Sequence, residues 1–168
     1  MTATIFVDTN VLLYAFDRAN PQKQAAPRLW RAALWTTKRG RLSVQVLQEF
    51  YANVIRKWPL AREQARAEIR NLSAWHPVPM DSEILVRGWR LQDRFQLSFW
   101  DSLILAAAIS SACNFLLTEG LQSGQELDGV TVLNPFLNDP ASYLSLKFES
   151  KQNAHLDHAF WYNQNVGC

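Results

Sequence analysis

Short apolar runs alternate with longer amphipathic stretches along most of the chain. The runs at residues 4–7, 42–44, 75–78, 115–117 and 130–133 are apolar and bounded by polar, glycine or proline positions, which predicts five buried strands. Apolar residues recur at helical spacing over residues 10–16, 22–38, 45–57, 60–72, 81–95 and 98–111. Strands that alternate with helices predict an α/β fold with a parallel sheet covered on both faces.

The pattern fails beyond Asn134-Pro135. Residues 138–168 are rich in Asn, Gln, Ser and aromatic residues without clear periodicity. We therefore expect one domain over residues 1–137 and a C-terminal appendage over residues 138–168, with one short helix around residues 141–148. His155 and His158 lie one helical turn apart there, but a tail with so little other predicted structure does not favour a metal site.

Composition narrows the class of protein. With 168 residues, 48% of them hydrophobic and 19% charged, the chain is long enough and apolar enough to bury a core. A net charge of +2 permits a nucleic-acid partner without demanding one. Cys113 and Cys168 lack metal-type spacing, so we expect free thiols in a reducing cytoplasm. We see no signal-peptide pattern, and the longest apolar stretch, residues 103–109, is too short to cross a membrane.

Three acidic residues follow predicted strands and stand at the start of the next helix or just inside it. Asp8 ends the first strand in IFVDTN, Glu49 lies in VQVLQEFYANVIRK, and Asp101 lies in SFWDSLILAAA. Each has a structural alternative. Asp8 or Thr9 can cap the helix that follows, and Glu49 can be a solvated glutamate on a helix face. Asp101 forms an S-x-x-[DE] capping box with Ser98.

A doubly wound sheet would bring these three acids to one rim, because ligands of such sheets bind beyond the carboxyl ends of the strands. Carboxylates gathered in one place cannot all ionise cheaply unless a cation lies among them. Hard divalent ions such as Mg²⁺ prefer carboxylate oxygens. The pattern therefore predicts a divalent-cation site that contains Asp8, Glu49 and Asp101.

Four stretches resemble the PIN-domain nucleases and, within them, the VapC-type toxins of bacterial toxin–antitoxin pairs. They are FVDTNVLLYA at 6–15, VLQEFYANVIRK at 46–57, SFWDSLILAAA at 98–108, and LLTEGLQSG at 116–124 with GVTVLNPF at 129–136. They occur in the order found in the family, over roughly residues 5–136, and the first and third are the most specific.

The resemblance implies a PIN-like three-layer α/β/α sandwich with a five-stranded parallel sheet in the order 3-2-1-4-5. It also implies an endoribonuclease dependent on Mg²⁺ or Mn²⁺. Its partners would be an RNA substrate, a second copy in a homodimer and a small antitoxin protein, without membrane association. Matched by position, Asp8, Glu49 and Asp101 take the catalytic and metal-binding places of the family, with Asn10 and Thr118 as supporting polar residues.

The chain departs from the family pattern at a fourth acidic place. The family usually carries an aspartate there, but this loop reads Thr118-Glu119-Gly120, and a second acid often found three residues on is Ser123. Glu119 either serves the metal instead or is a solvated loop residue. Gly120 therefore predicts a weakened nuclease. The alternative is a catalytically inactive PIN scaffold that binds RNA or an antitoxin.

Basic residues form three groups with the charge to hold RNA phosphates. The groups are Arg62, Arg66 and Arg70; Lys38, Arg39 and Arg41; and Arg56 with Lys57. Pairing with Glu63 and Glu68 is the structural alternative for the first group.

Two other α/β phosphoryl-transfer classes fit the residues less well. Haloacid-dehalogenase-like phosphatases carry D-x-D after the first strand, where this chain reads Asp8-Thr9-Asn10. Receiver domains need an acidic pair there and an aspartate after the third strand, where residues 76–79 read HPVP.

Overall fold

A computed structural model of the chain describes residues 3–145. Residues His155, His158 and Cys168 lie outside the described residues, as does part of the helix expected at 141–148. The described end of that segment contains a 3₁₀ turn at Pro140–Ser142.

The centre of the fold is a five-stranded, mostly parallel sheet, which confirms the predicted α/β class. Its strands are β1 (Ile5–Val7), β2 (Gly40–Arg41), β3 (Phe115–Leu117), β4 (Glu126–Leu127) and β5 (Val130–Leu133). The order is β2-β1-β3-β5-β4. β1 pairs in parallel with β2 and β3, β3 pairs in parallel with β5, and β4 runs antiparallel to β5.

The two edges of the sheet differ from the prediction. The strand expected at residues 75–78 is reduced to one parallel bridge between Ser43 and Val78, and a 3₁₀ turn occupies Ser73–Trp75. Prolines at 77 and 79 lack the N–H groups that a longer ladder needs. If this bridge is counted as the predicted third strand, each predicted strand has the neighbours that the order 3-2-1-4-5 gives it. The added strand β4 forms a hairpin with β5 through Asp128-Gly129, both with positive φ.

In the described part of the chain six helices surround the sheet, and they match the predicted helices within about two residues. They are α1 (Thr9–Phe16), α2 (Pro21–Thr37), α3 (Val44–Lys57), α4 (Arg62–Leu72), α5 (Ser82–Phe95) and α6 (Phe99–Ser110). Side-chain oxygens cap the N-termini of five helices by accepting a backbone N–H. The capping residues are Asp8, Asn20, Ser43, Asp81 and Ser98.

The core places the carboxyl ends of β1 and β3 side by side. All three residues of β1 are buried, as a strand covered on both faces requires. Helix α6 is buried from Ser102 to Ala108, as its apolar run predicts. Gly40 of β2 lies against Trp75, because a Cβ atom there would come within 2.6 Å of the indole ring. None of the helices within residues 3–145 is long and apolar enough to cross a membrane.

The start of the expected appendage packs on the domain. Trp30 Nε1 donates to the carbonyl oxygen of Asn138 at 3.0 Å, and the Tyr143 ring contacts Trp30 and Phe115. Leu144 is buried. A boundary at residue 138 stays a prediction.

Candidate active site

Asp8 lies directly after β1 and caps helix α1. Its Oδ1 accepts the backbone N–H of Thr9 at 2.6 Å. Its own backbone N–H donates to the carbonyl of Leu117, the last residue of β3, at 3.0 Å. The side chain is buried. Asp8 therefore both caps α1 and lies at the rim of the sheet, so the two interpretations are compatible.

The other oxygen of Asp8 is held by residues from two elements. Asp8 Oδ2 accepts from Thr118 Oγ1 at 2.7 Å and from Asn10 Nδ2 at 3.0 Å. Thr118 follows β3, and the parallel register of Val7 with Leu117 brings it beside Asp8. Thr118 Oγ1 in turn accepts from Asn10 Nδ2 and from the backbone N–H of Gly120, both at 3.0 Å. Both residues expected to support the site thus contact Asp8.

Glu49 is joined to Asp8 through one residue, Thr9. The Thr9 hydroxyl donates to Glu49 Oε2 at 2.7 Å, while the Thr9 backbone N–H holds Asp8. Glu49 Oε1 accepts from Gln45 Nε2 at 2.8 Å. The half-buried Glu49 is therefore a fixed part of the site, and the interpretation as a solvated helix residue does not describe it.

Asp101 lies in the first turn of α6 and is tied to its own cap. Ser98 Oγ donates to Asp101 Oδ2 at 2.7 Å and accepts the Asp101 backbone N–H at 3.1 Å. This is the capping interaction that the sequence allowed. Asp101 also affects Asp8, because the negative charge of Asp101 contributes to the raised pKa of Asp8.

The charges of Asp101 and Glu49 both act on the carboxyl group of Asp8. The pKa of Asp8 is raised from 3.8 to about 6, and burial is the largest cause. The hydrogen bonds from Thr118 and Thr9 lower this pKa, and the charges of Asp101 and Glu49 raise it. Two like charges and a desolvated carboxylate favour a bound proton or a bound cation.

The donor atoms suit a divalent cation, but the acids do not form a ready three-ligand group. Within residues 3–145, no three His, Cys, Asp or Glu side chains are placed so as to hold a metal ion. A carboxylate oxygen has about two lone-pair sites. Asp8 Oδ1 and both oxygens of Glu49 each accept one hydrogen bond, which leaves each a free site. Oxygen donors of this kind are what Mg²⁺ and Mn²⁺ bind.

Glu119 is turned to a different partner. Its carboxylate accepts a hydrogen bond from the hydroxyl of Tyr14, and its backbone N–H donates to Asn10 Oδ1 at 3.3 Å. The hydrogen bond to Glu119 raises the pKa of Tyr14 to about 12. Glu119 is exposed, which fits the alternative of a solvated loop residue, and its role toward a metal stays a prediction.

Gly120 occupies a position that can accept a side chain. A Cβ atom there would lie 3.5 Å from Thr118 Oγ1 and 3.8 Å from Asn10 Nδ2, which are ordinary contact distances. The backbone of Gly120 is outside the left-handed region, unlike that of Gly124 and Gly129. Neither space nor conformation therefore requires glycine. Ser123, the other departure from the family pattern, donates to Asn138 Oδ1 at 3.2 Å.

Sequence reasoning missed three residues that organise the site. Thr9 links Asp8 to Glu49, Gln45 holds Glu49, and Tyr14 holds Glu119. Spacing offered one signal, since Gln45 and Tyr14 each lie one helical turn from a site residue, Glu49 and Asn10.

The basic groups are only partly free for a ligand. Arg66 pairs with Glu63 and also donates to Tyr51, whereas Glu68 pairs across helices with Arg31. Arg41 donates to backbone carbonyls, including that of Gly40 at 2.8 Å.

Comparison with known proteins identifies the family of the chain. Residues 5–122 match the PIN domain family. No curated protein matches the sequence significantly.

Three solved structures illustrate the structural likeness. VapC20 of Mycobacterium tuberculosis, a sarcin-ricin loop cleaving toxin, aligns with a TM-score of 0.54 and 20% identity, covering 67% of this chain and 87% of that one. A toxin–antitoxin complex from Klebsiella pneumoniae aligns with a TM-score of 0.58 and 20% identity, covering 79% of this chain and 98% of that one. DNA-bound VapBC from Salmonella typhimurium aligns with a TM-score of 0.59 and 17% identity, covering 80% of this chain and 99% of that one. At these identities the likeness shows a common fold.

Proposed function

The chain belongs to the PIN-domain family, and from that membership we propose that it is a metal-dependent endoribonuclease, the toxin of a type II toxin–antitoxin pair. The observation that carries the proposal is the buried carboxylate of Asp8, whose pKa is raised to about 6 by burial and by the charges of Asp101 and Glu49. Such an arrangement is costly unless a cation or a proton offsets it. A buried carboxylate with two like charges beside it is typical of a functional site.

Asp8, Glu49 and Asp101 would hold the ion, Mg²⁺ or Mn²⁺, and act as the catalytic acids. When bound, the ion would offset the negative charge that develops on the phosphoryl oxygens during hydrolysis. Thr9, Asn10 and Thr118 would keep Asp8 and Glu49 oriented through the hydrogen bonds described above.

The remaining parts of the proposal rest on the family and on the structural likeness. The substrate would be RNA, as VapC20 is a toxin that cleaves the sarcin-ricin loop. The partner would be a small antitoxin protein, since the Klebsiella and Salmonella structures are toxin–antitoxin complexes. A homodimer in the cytoplasm completes the proposal.

Gly120 would weaken this nuclease. A side chain at position 120 would begin next to Thr118 and Asn10, which both contact Asp8. An aspartate there would add a fourth carboxylate on the same side as Asp8. We expect Gly120→Asp to raise cleavage roughly 10- to 100-fold, the range seen when metal-site support is gained or lost.

The test is cleavage of a structured RNA in Mn²⁺, with and without chelator, by the chain and by Gly120→Asp. Gln122→Asp is the matched control, because Gln122 is exposed in the same loop and the variant adds the same charge. Chelator-sensitive cleavage that rises only in Gly120→Asp supports the proposal. Equal activity in all three proteins would show that position 120 is irrelevant.

A second candidate function is an inactive PIN scaffold that binds RNA or an antitoxin. Two observations favour it: the acids form no ready metal group within residues 3–145, and Glu119 is engaged by Tyr14. RNA binding without cleavage by the chain and by Gly120→Asp, in excess Mn²⁺, would support this candidate.

A further inference from the structure

A cavity of about 470 Å³ continues the acid site along helices α1 and α3. We call it the α1–α3 cavity. Its lining includes Asn10, Tyr14, Asp17, Asn53, Arg56, Lys57 and Trp58. Asn10 belongs to both places, because its side-chain amide donates to Asp8 Oδ2 at 3.0 Å.

One face of α3 serves the acid site at one end and the cavity at the other. Glu49, Asn53 and Arg56 follow the i, i+4, i+7 spacing of a single helix face. Asn53 Nδ2 donates to the carbonyl of Glu49 at 2.8 Å, and Arg56 Nη2 donates to Asn53 Oδ1 at 2.7 Å. Seven residues of helix span about 10 Å. A ligand group at Arg56 therefore lies beside the acids and not among them.

Among the described residues that line the cavity, one cation is left for a ligand. Lys57 Nζ lies 3.5 Å from Asp17 Oδ2, so these two opposite charges offset each other. Arg56 is exposed, and within residues 3–145 no carboxylate forms a salt bridge with it. A planar guanidinium is well suited to bind a phosphate through two N–H groups.

The walls of the cavity also suit a nucleotide. Tyr14 and Trp58 supply aromatic rings. The amides of Asn10 and Asn53 are hydrogen-bonded within the protein and shape the cavity. Aromatic rings are the groups on which proteins stack unpaired bases. The volume lies within the range of small-ligand sites.

We propose that the α1–α3 cavity binds a nucleotide of single-stranded RNA adjacent to the cleaved phosphate, and that Arg56 binds the phosphate of this nucleotide. The proposal rests on the proposed function, because it names where the substrate strand continues beyond the acids. It adds a substrate-positioning residue outside the acid site.

The experiment measures binding and not cleavage. A labelled single-stranded oligoribonucleotide is titrated with the chain in chelator, and fluorescence anisotropy gives the affinity over a range of salt concentrations. Arg56→Ala is compared with Arg94→Ala. Both arginines are exposed in the last turn of a helix, so loss of the favourable interaction with the helix dipole is matched.

We expect Arg56→Ala to reduce the slope of log affinity against log salt by about 0.7 and the affinity about fivefold near 0.1 M salt, as loss of one phosphate contact predicts. Arg94→Ala should bind like the unchanged chain. Equal binding by both variants, equal loss in both, or no binding by the unchanged chain would each overturn the proposal.

These outcomes are separable from the fate of the proposed function. If the chain cleaves RNA while both variants bind alike, the nuclease stands and the nucleotide site fails. If binding depends on Arg56 while neither the chain nor Gly120→Asp cleaves, the nucleotide site stands and the nuclease fails.

Discussion

The raised pKa of Asp8 predicts that the metal-free protein loses stability as the pH rises from about 4 to about 7. In the unfolded chain an aspartate ionises near 3.8, whereas the folded carboxyl holds its proton up to about pH 6. Between these values the folded state binds more protons than the unfolded state, so the free energy of unfolding falls with rising pH. Below pH 4 both states are protonated, and the effect disappears.

The magnitude follows from the difference between the two pKa values. At about 1.4 kcal/mol per pKa unit, a rise from 3.8 to about 6 corresponds to about 3 kcal/mol at full ionisation. Asp8→Asn removes this titration. It also changes the hydrogen bonds with Thr9 and Thr118, but that cost does not vary with pH. The informative quantity is therefore the difference between the two proteins as a function of pH.

Urea unfolding in chelator, followed by circular dichroism from pH 4 to 7, measures this difference. The unchanged chain should lose about 3 kcal/mol relative to Asp8→Asn across the range, and millimolar Mn²⁺ should restore part of the loss only in the unchanged chain. Asp93→Asn, at an exposed position on α5, controls for the loss of a charge. Parallel curves for the chain and Asp8→Asn would refute the electrostatic account of the site.

Two further predictions concern the scaffold. Gly40→Ala should destabilise the fold by about 1–3 kcal/mol in chemical unfolding, because its Cβ would meet the Trp75 ring at 2.6 Å. As the control, Gly120→Ala has its nearest contact at 3.5 Å and should change stability by less than about 1 kcal/mol. Equal effects of the two changes would contradict the packing argument. Glu68→Gln should cost about 3–5 kcal/mol, because it removes the carboxylate from a buried pair with Arg31. The matched change Glu63→Gln, in an exposed pair, should cost at most about 1 kcal/mol, and thermal unfolding that ranks the two in reverse would disprove this.

The central strands and the helices could be predicted from the sequence because their signals are local. The strands at residues 115–117 and 130–133 were predicted with their observed bounds, since short apolar runs end at polar or turn residues. The edges were harder. The Asp128-Gly129 turn is a hairpin signal that the prediction did not use, and β4 is too short to stand out by pattern. Prolines 77 and 79 left the expected third strand as a single bridge.

The acids of the site were predictable in position but not in their contacts. The places of Asp8 and Glu49 after strands followed from topology, and that of Asp101, at the start of a helix that follows α5, followed from the family pattern. The carboxylate of Glu49 accepts hydrogen bonds from Thr9, at the β1–α1 junction, and from Gln45, one turn away on α3. Such contacts depend on tertiary distances, which a single sequence does not contain.

The loop after β3 shows why Glu119 and Gly120 cannot exchange roles freely. Position 120 faces Thr118 and Asn10, whereas the carboxylate of Glu119 is held by Tyr14. Glu119 would have to leave Tyr14 before it could serve the acids. Glycine at position 120 also adds no further negative charge near Asp8. Without a cation, a carboxylate at position 120 would add to the repulsion that already raises the pKa of Asp8, and with a cation the same charge becomes attractive. Gly120→Asp should therefore lower metal-free stability and raise metal affinity together, a pairing of opposite effects that a merely steric change at this position would not produce.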